Sequence, residues 1–557
     1  MEKEVINGTD SAQVDETELS PAERVSLKVA DNIYNRAFGS RRDVREQGSL
    51  RLRYVNDFPQ LNYQYVSFRS DQKMILRGGL YWLKRVNFKI TDPLSCAVSG
   101  DPWRNDPELF GVESSAHAEA APNGDAGVEP RGLVVFCHGI AGGHSDYLSL
   151  IYWFASQGYV VFGYDNTGYY SSEGEGLIGL EQAPRDLYAA LRFAAEQKEL
   201  SHFTPILAGH SWGGYAVCAI LGMPGIPRIG GVISISGFDR AGDIIVEQGV
   251  QRFGRMWHLF TPAFYMRRRL LFQSDTGIRA SSCVLASDVP VLIFHGMMDN
   301  VVSLRRSIAY RTFRRDYRQQ RRRSDTLEEL YPPEKKGSSV PEPGGGNQSI
   351  PVATLSVPAS TRSPHSTGSL GYELLPDLQK QIFKQLRREA KRIEDLSEFD
   401  LQQIYNAAVT ESEDLRITSR STQELYRTRR DESKPRRRNR PDIMYLLRRA
   451  YTRGGLLALP LSTSRVTVYV MPDTGHTPFL SDNALIYRYR QYQRQKEMVE
   501  EYGDVAQIPE EEWSRFIGNF DAEYADSPNL ILMQAMENFL AKLEVPASEV
   551  PASDVEG

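Results

Sequence analysis

The chain has 557 residues, of which 41% are hydrophobic and 25% charged, and its mean hydropathy of -0.42 indicates that polar segments dilute an ordinary core. A net charge of -5 gives no reason to expect nucleic acid as a partner, and no apolar run of about 18 residues predicts a membrane span. The four cysteines are widely spaced without a CxxC pair, which argues against a zinc site or a disulfide framework, and no secretory signal is recognisable, so a soluble cytoplasmic enzyme is the default expectation.

The N-terminal part contains few strong signals. Residues 1–60 are polar and form a predicted extension, with a candidate helix from Ala22 to Ala37. A hairpin is expected next, because Leu61–Phe68 and Met74–Trp82 carry alternating, β-branched or aromatic residues. Residues 100–130 contain few large apolar side chains and are interpreted as a flexible loop.

From Leu133 onward, short apolar runs alternate with helical patterns, which predicts βαβ units and a mostly parallel sheet. The predicted strands are Leu133–Cys137, Tyr159–Tyr164, a run ending at Ala208, Val232–Ser236, Val289–Phe294 and Val466–Met471. The predicted helices are Asp146–Ser156, Ala183–Glu199, the segment 214–221 and a closing helix capped by Ser527. The core would therefore occupy residues 61–316 and 464–545, followed by a tail at 546–557.

Two regions interrupt this alternation. Residues 241–287 combine many arginines with aromatic side chains and are interpreted as a lid, in which Trp257, Phe260 and Phe264 line the substrate or else pack a small helical layer. Residues 317–463 join a Pro/Gly/Ser-rich tract to a helical pattern and a basic run, which indicates a partly disordered insertion. Nine arginines between residues 305 and 323 indicate either a solvated helix face or a surface for an anionic partner.

The pentapeptide Gly209-His210-Ser211-Trp212-Gly213 has the pattern of a nucleophile elbow. A predicted strand precedes it and a run of small and apolar residues suited to a helix follows it. Gly209 and Gly213 would allow the sharp turn to close, so that Ser211 projects from the sheet edge. The alternative is a glycine-rich turn in a Rossmann-like sheet without catalytic meaning.

A serine nucleophile needs a base and a group that orients the base. His476 is the candidate base, because it follows the last predicted strand, and Asp299 is the candidate acid, because it follows the strand before that one. Asp239 is the alternative acid. Asp473 lies only three residues before His476 and is expected to shape that loop instead.

Acyl transfer also needs two backbone N–H groups directed at the developing oxyanion. The N–H of Trp212, directly after the candidate nucleophile, and that of Ile140, in the glycine-rich loop 138–143, are the candidate donors. A phosphate-binding loop is the alternative for residues 138–143, but the P-loop lysine and the dinucleotide spacing are both missing.

In their order and context these motifs resemble the α/β-hydrolase superfamily, and within it the serine aminopeptidase-like and lysophospholipase-like hydrolases. The motifs are His138-Gly139, Tyr164-Asp165-Asn166-Thr167-Gly168 with Ser171-Ser172-Glu173-Gly174, the elbow at Ser211, His295-Gly296 with Asp299, and Gly475-His476. The resemblance covers residues 61–310 and 464–545 and implies an eight-stranded, mostly parallel sheet flanked by helices. The long interval between Asp299 and His476 and the charged region 478–526 depart from the family pattern.

The expected function is a serine esterase that cleaves a small-molecule acyl substrate through an acyl-enzyme and requires no metal or organic cofactor. A serine peptidase acting on small peptides or amides is the close alternative, because the same residues serve both reactions. A non-catalytic binding or scaffold protein on a hydrolase fold is the alternative from another class. Epoxide hydrolases and dehalogenases are disfavoured because they need a carboxylate in place of Ser211. The oligomeric state stays open.

Overall fold

The computed structural model describes most of the chain between residues 55 and 319 and between 456 and 544. The described ranges are 55–92, 96–99, 101, 127–140, 142–296, 299–316, 318–319, 456–459, 461–471, 474–503 and 507–544, with single positions at 20, 21, 24, 28 and 32. Most of the predicted N-terminal extension, the bulk of the loop 100–130, nearly all of the insertion and the tail lie outside these residues. None of the helices in these ranges combines the length and apolar character needed to cross a bilayer.

The described residues form one nine-stranded sheet with the strand order β1-β2-β4-β3-β5-β6-β7-β9-β8. The strands are β1 Leu61–Arg69, β2 Ile75–Leu83, β3 Leu133–Cys137, β4 Val160–Tyr164, β5 Ile206–His210, β6 Gly231–Ile235, β7 Val291–Gly296, β8 Leu457–Leu459 and β9 Val466–Met471. Six strands that are neighbours in the sheet are parallel, in the order β4, β3, β5, β6, β7 and β9. In contrast, β1, β2 and β8 pair antiparallel. The mostly parallel sheet is therefore confirmed.

The sheet has one strand more than the eight that were expected. Strand β8 pairs antiparallel with β9 at the edge and lies inside the segment 317–463 that was interpreted as insertion. It has only three residues, too few for an alternating pattern to be recognised in the sequence. The central strands β3 to β7 are buried at every position, which explains why their sequences are continuous apolar runs.

Helices connect the strands and contact both the sheet and one another. The described α-helices are α1 Leu148–Ser156, α2 Gln182–Glu196, α3 Trp212–Ala219, α4 Ala241–Phe253, α5 Thr261–Phe272, α6 Ala280–Ala286, α7 Asp482–Tyr502, α8 Glu510–Gly518, α9 Ala522–Ala525 and α10 Leu530–Glu544. Short 3-10 segments lie at Val55–Asp57, His144–Tyr147, Ile220–Gly222, Gly254–Leu259, Gln273–Gly277 and Leu304–Arg306, and residues 308–316 are also helical.

The closing helix α10 begins later than predicted. The side-chain oxygen of Asn529 accepts the N–H groups of Ile531 at 3.2 Å and Leu532 at 3.5 Å, so Asn529 caps the helix and the assignment of this role to Ser527 was wrong. Ser527 instead accepts the backbone N–H of Ser481 at 2.9 Å, at the base of the helical excursion formed by α7 to α9. The backbone geometry decided the cap, because serine and asparagine are equally good in sequence.

The predicted lid is a helical segment, α4 to α6, inserted between β6 and β7. Its helix α5 is held against the loop before α2 by a buried ion pair between Arg268 and Glu181, with Arg268 Nε 2.8 Å from the carboxylate. Arg267 donates to the carbonyl of Ile178, and Arg185 pairs with Asp275 at 2.8 Å. The predicted lid is thus attached to the rest of the described chain by polar contacts from α5 and from the 3-10 segment that follows it.

The arginine-rich segment after β7 serves the lid. Arg306 and Arg311 lie 3.1 and 3.8 Å from the Asp243 carboxylate on α4, and Arg315 donates to the hydroxyl of Ser281 on α6. The sequence alone had suggested either a solvated helix face or a surface for an anionic partner. These three arginine side chains fit neither interpretation, because each is bonded to a residue of the predicted lid. The last arginines of the run, at 321–323, lie outside the described residues.

Candidate active site

Ser211 occupies a strained turn between β5 and α3. Its backbone has φ 56° and ψ -111°, a left-handed conformation that a residue other than glycine adopts at an energetic cost. The two flanking glycines leave no space for a side chain: a Cβ on Gly209 would lie 2.5 Å from the backbone of Gly213, and one on Gly213 would lie 2.0 Å from the carbonyl oxygen of Cys137. The sequence forms this turn because glycine stands at both crowded positions.

His476 lies in the loop after β9 and reaches Ser211. Its Nε2 is 2.9 Å from Ser211 Oγ, and its Nδ1 is 2.8 Å from Asp299 Oδ2. The loop that follows β9 and contains His476, called the base loop below, approaches β7 closely. Glycine at position 296 permits this approach, since a Cβ there would lie 2.2 Å from the carbonyl oxygen of Gly475. With the proton on Nδ1, His476 donates to Asp299 and accepts from the Ser211 hydroxyl. The His476 side chain is 17% exposed, so a substrate can reach it.

The carboxylate of Asp299 is held by its own loop. Its Oδ1 accepts the N–H groups of Val301 at 2.9 Å and Val302 at 2.8 Å, which leaves Oδ2 for His476. Burial raises the pKa of Asp299, but the hydrogen bond to His476 and the charges of His476 and His295 outweigh this effect and hold the pKa below its ordinary value. Asp299 is therefore an ionised, oriented acceptor.

The alternative acid, Asp239, is used elsewhere. Its Oδ1 accepts the N–H of Ser281 at 2.8 Å and its backbone carbonyl accepts that of Ala280, so it fixes the start of α6. Asp299 and not Asp239 lies within hydrogen-bonding distance of His476. Asp473, expected to shape the base loop, lies outside the described residues.

The glycine-rich loop lies beside the serine. A Cβ on Gly139 would be 3.3 Å from the Ser211 Cβ, so the absence of a side chain allows this close approach. Within the described part of the chain, neither the backbone N–H of Ile140 nor that of Trp212 donates a hydrogen bond, which leaves both available to an oxyanion. The Trp212 ring is buried and donates from Nε1 to the carbonyl of Leu180 at 2.7 Å.

Two side chains that the sequence did not single out for chemistry connect these loops. The N–H of Gly139 donates to the hydroxyl of Tyr147 at 3.1 Å, and this hydroxyl lies 2.9 Å from His210 Nδ1. His210 Nε2 lies 2.8 Å from the backbone carbonyl of His476. The elbow motif contains His210, but Tyr147 follows a charged turn with no recognisable motif, so the sequence offered no signal for it.

A second buried aspartate–histidine pair supports the loop from behind. Asp165 Oδ1 accepts from the backbone N–H of His144 at 2.8 Å and lies 2.7 Å from its Nδ1, while His144 Nε2 lies 2.9 Å from the Tyr81 hydroxyl. Burial raises the pKa of Asp165, yet the charge and hydrogen bond of His144 hold it well below its ordinary value. This pair anchors the end of the loop through buried contacts.

The candidate lining residues of the lid pack against each other. Trp257 and Phe264 are buried and stack with ring centroids 4.8 Å apart, and a Cβ on Gly249 would lie 1.9 Å from the Trp257 ring. Phe260 is partly buried, with its centroid 6.5 Å from that of Trp257. These contacts fit the helical-layer interpretation, and a substrate-lining role for the three residues stays a prediction.

The geometry fits nucleophilic catalysis by a hydroxyl group. A base within hydrogen-bond reach can remove the serine proton during attack, and a buried carboxylate can stabilise the imidazolium that forms. Strand order explains the assembly, because β5, β7 and β9 all end at the same edge of the sheet. Among the described residues, no cluster of three or more His, Cys, Asp or Glu side chains could hold a metal ion.

The chain was compared with protein-family models, curated proteins and solved structures. Residues 128–281 match the family model described as Serine aminopeptidase, S33. Similar solved structures include an esterase of Pyrococcus furiosus, Pf2001, with 13% identity and a TM-score of 0.31 over 53% of this chain and 98% of that one. Another is the acylaminoacyl peptidase of Pyrococcus horikoshii, with 14% identity and a TM-score of 0.30 over 47% of this chain and 36% of that one. No curated protein matches the chain by sequence.

Proposed function

We propose that this chain, a member of the α/β-hydrolase superfamily, is a serine hydrolase that cleaves carboxylic esters through an acyl-enzyme. The observation that carries the proposal is the continuous hydrogen-bonded chain from Ser211 through His476 to Asp299, which starts at a strained elbow. A strained serine that is also paired with a base and an ionised acid is costly for a fold and characteristic of catalytic sites.

The reaction follows from the protons that this chain of side chains can move. Ser211 Oγ attacks the ester carbonyl while its proton passes to His476 Nε2, and Asp299 stabilises the imidazolium. The backbone N–H groups of Ile140 and Trp212 stabilise the oxyanion. His476 then protonates the departing alcohol, and a water molecule, deprotonated by the same nitrogen, releases the acid and restores the Ser211 hydroxyl.

Two exposed apolar side chains, which are close in sequence to proposed site residues, favour an apolar acyl group. Ile140, in the glycine-rich loop, is 40% exposed, and Val301, two residues after Asp299, is 41% exposed. Apolar side chains at a site entrance gain free energy when a ligand removes them from water. Esters with an apolar, uncharged acyl group are therefore the preferred substrate class.

A serine peptidase acting on amides is the second candidate, and the description of the matching family model favours it. The same side chains serve both substrates, but an amine departs only after it is protonated, which places a stricter demand on His476. Comparing kcat/KM for short aryl esters with that for aminoacyl amides of the same acyl group separates the two candidates. Faster amide cleavage would reverse our order.

The experiment that tests the proposal is labelling by a fluorophosphonate, which reacts with activated serines. We expect a single adduct at Ser211, abolished by S211A and slowed strongly by H476A. A matched control is S236A, because Ser236 is also buried and also has a positive φ of 52° but carries no hydrogen bond to any of the described histidines. Equal labelling of wild type and S211A would refute the proposal.

A further inference from the structure

Resting on the proposed function, we infer that Tyr147 and His210 are positioning residues. They couple the glycine-rich loop 138–143, called the oxyanion loop below, to the base loop that contains His476. Neither is hydrogen-bonded to Ser211 Oγ or to the His476 ring in the described part of the chain, although the His210 ring packs against the His476 ring with centroids 4.9 Å apart. They join Gly139, which lies beside Ser211, to the backbone of His476 in a row of three hydrogen bonds. The two halves of the site, one for the oxyanion and one for proton transfer, thus share one support.

The row has a single direction. The N–H of Gly139 donates to the Tyr147 oxygen, the Tyr147 hydroxyl donates to His210 Nδ1, and His210 Nε2–H donates to the His476 carbonyl. Every donor and acceptor in the row is used once. This arrangement requires neutral His210 with its proton on Nε2, because a proton on Nδ1 would remove the acceptor for Tyr147.

The surroundings favour that protonation state. Burial and the nearby His476 lower the pKa of His210 to about 3, against the smaller opposing influence of its bond to the His476 carbonyl and of the charge of Asp299. Burial also raises the pKa of Tyr147 well above its ordinary value, so its hydroxyl keeps its proton. Both groups therefore hold the roles that the row assigns to them at neutral pH.

The ring of Phe479 packs against both side chains of the row. Its ring meets His210 edge-on with centroids 5.1 Å apart and Tyr147 at 5.9 Å, and it lies three residues after His476 in the same loop. The three hydrogen bonds are partly buried, and hydrogen bonds withdrawn from water are stronger and more costly to leave unmade than exposed ones. The base loop is consequently held by both a polar and an apolar contact with His210.

The other side of the oxyanion loop is fixed as well. His138 Nδ1 lies 2.7 Å from the carbonyl oxygen of Gly139, while His138 Nε2 accepts the N–H of Asn166 at 2.9 Å. The C=O of Gly139 and the N–H of Ile140 belong to one planar peptide and point in opposite directions. Holding this carbonyl, and the Gly139 N–H through Tyr147, therefore sets the direction of the Ile140 N–H.

Loss of the row should slow chemistry without weakening substrate binding. A looser base loop or oxyanion loop lowers the fraction of complexes in which Ser211, His476 and the donors are aligned, and small misplacements have large effects on rate. None of the three hydrogen bonds touches the substrate. We therefore expect kcat to fall while KM stays close to the wild-type value.

The test measures kcat and KM with a short aryl ester, with active sites titrated by the fluorophosphonate. Y147F removes only the hydroxyl, and H210L removes both polar nitrogens. H210Q retains an amide N–H that can reach the His476 carbonyl. Y159F is the matched control, because Tyr159 is a buried tyrosine at the amino end of β4, away from the catalytic edge.

We expect kcat per titrated serine to fall about 5-fold in Y147F and about 10-fold or more in H210L, as expected for losing one or two partly buried hydrogen bonds. H210Q should recover a large part of the loss, and Y159F should match the wild type. A purely structural role would lower the titrated fraction but not turnover per site, and that result would overturn the inference. Absence of Ser211-dependent labelling in the wild type would overturn the proposed function, and the inference with it.

Discussion

The carboxylate of Asp316 accepts two hydrogen bonds from Ser462, one from the backbone N–H at 2.8 Å and one from the hydroxyl, although 146 positions separate the two residues. Two described residues on either side of the interval 320–455 therefore lie in contact. An inserted segment whose ends meet places little demand on the fold that carries it. The core thus needs some connection between Asp316 and Ser462, but the length of that connection is not constrained by the fold.

Removing residues 320–455 and joining the ends by a Gly/Ser linker should leave the core folded. The joined ends, residues 319 and 456, lie three and six positions from the Asp316–Ser462 contact and so at most about 40 Å apart, which a linker of about fifteen residues, about 50 Å when extended, can span. We expect Ser211-dependent ester hydrolysis within about 3-fold of the full chain, since no described catalytic group lies in the segment. Loss of the hydrolysis in a protein with an unchanged thermal transition would show that the segment contributes to the site.

The variant G213A tests the crowding at the elbow. A Cβ at this position would lie 2.0 Å from the Cys137 carbonyl oxygen, so the turn or β3 must shift. We expect the free energy of unfolding in urea to fall by about 1–3 kcal/mol, and kcat to fall with it. G518A is the control, because nothing lies within 4 Å of that added Cβ. Equal stability of the two variants would contradict the close contact.

Replacing Asp299 by asparagine separates the two candidate acids. D299N preserves shape, but its amide cannot hold His476 in the Nδ1–H tautomer, and the comparable change in a serine protease triad lowers kcat about 10⁴-fold. D239N makes the same change at the residue that caps α6, so we expect about 1 kcal/mol of lost stability with near-normal kcat. Steady-state kinetics and urea unfolding on both variants check this. The reverse pattern would make Asp239 the acid.

The candidate site was predictable because each of its three side chains follows a strand in sequence. The carboxyl ends of parallel strands gather at one edge, so assigning β5, β7 and β9 was enough to expect Ser211, Asp299 and His476 together. Tyr147 was not predictable, because its role depends on where its hydroxyl lies in space. The sequence likewise carries no signal for a three-residue edge strand such as β8, which is defined by its partner.

Acidification below neutral pH should destabilise the fold through its buried histidines. Burial is the largest cause that lowers the pKa of His138, His210 and His295, in the case of His210 to about 3. In the unfolded chain a histidine has a pKa of about 6.5, so below that pH the unfolded chain binds protons that the folded chain does not. The free energy of unfolding then decreases by up to about 1.4 kcal/mol per pH unit for each histidine.

Asp186 opposes this trend, because burial raises its pKa to about 7 and its folded form gains protons in the same range. The net expectation for urea unfolding between pH 7 and pH 5 is a decreasing free energy of unfolding, steeper in D186N. Removing an exposed histidine in H202Q should leave the slope unchanged. A wild-type stability that is flat or rises on acidification would show that the buried histidines do take up protons.

The buried ion pair between Glu181 and Arg268 should be costly to break but tolerable to replace. E181A leaves a guanidinium in the interior without its partner, and removing one side of such a pair costs about 3–5 kcal/mol. Arg268 Nη1 and Glu181 Oε2 have no hydrogen-bond partner among the described residues, so the pair does not recover all of its desolvation cost. The double variant E181L/R268M should therefore be more stable than E181A.

The same loop connects this pair to the oxyanion donor. Leu180, next to Glu181, accepts the ring N–H of Trp212, whose backbone N–H is proposed to stabilise the oxyanion. We expect E181A to lower kcat per titrated Ser211 and the double variant to recover part of it, because an apolar pair again holds the loop in place. A double-mutant cycle built from E181L, R268M and E181L/R268M, followed by urea unfolding and by kcat, measures both effects. If the two single changes add without coupling in both measurements, the lid is not held through this pair.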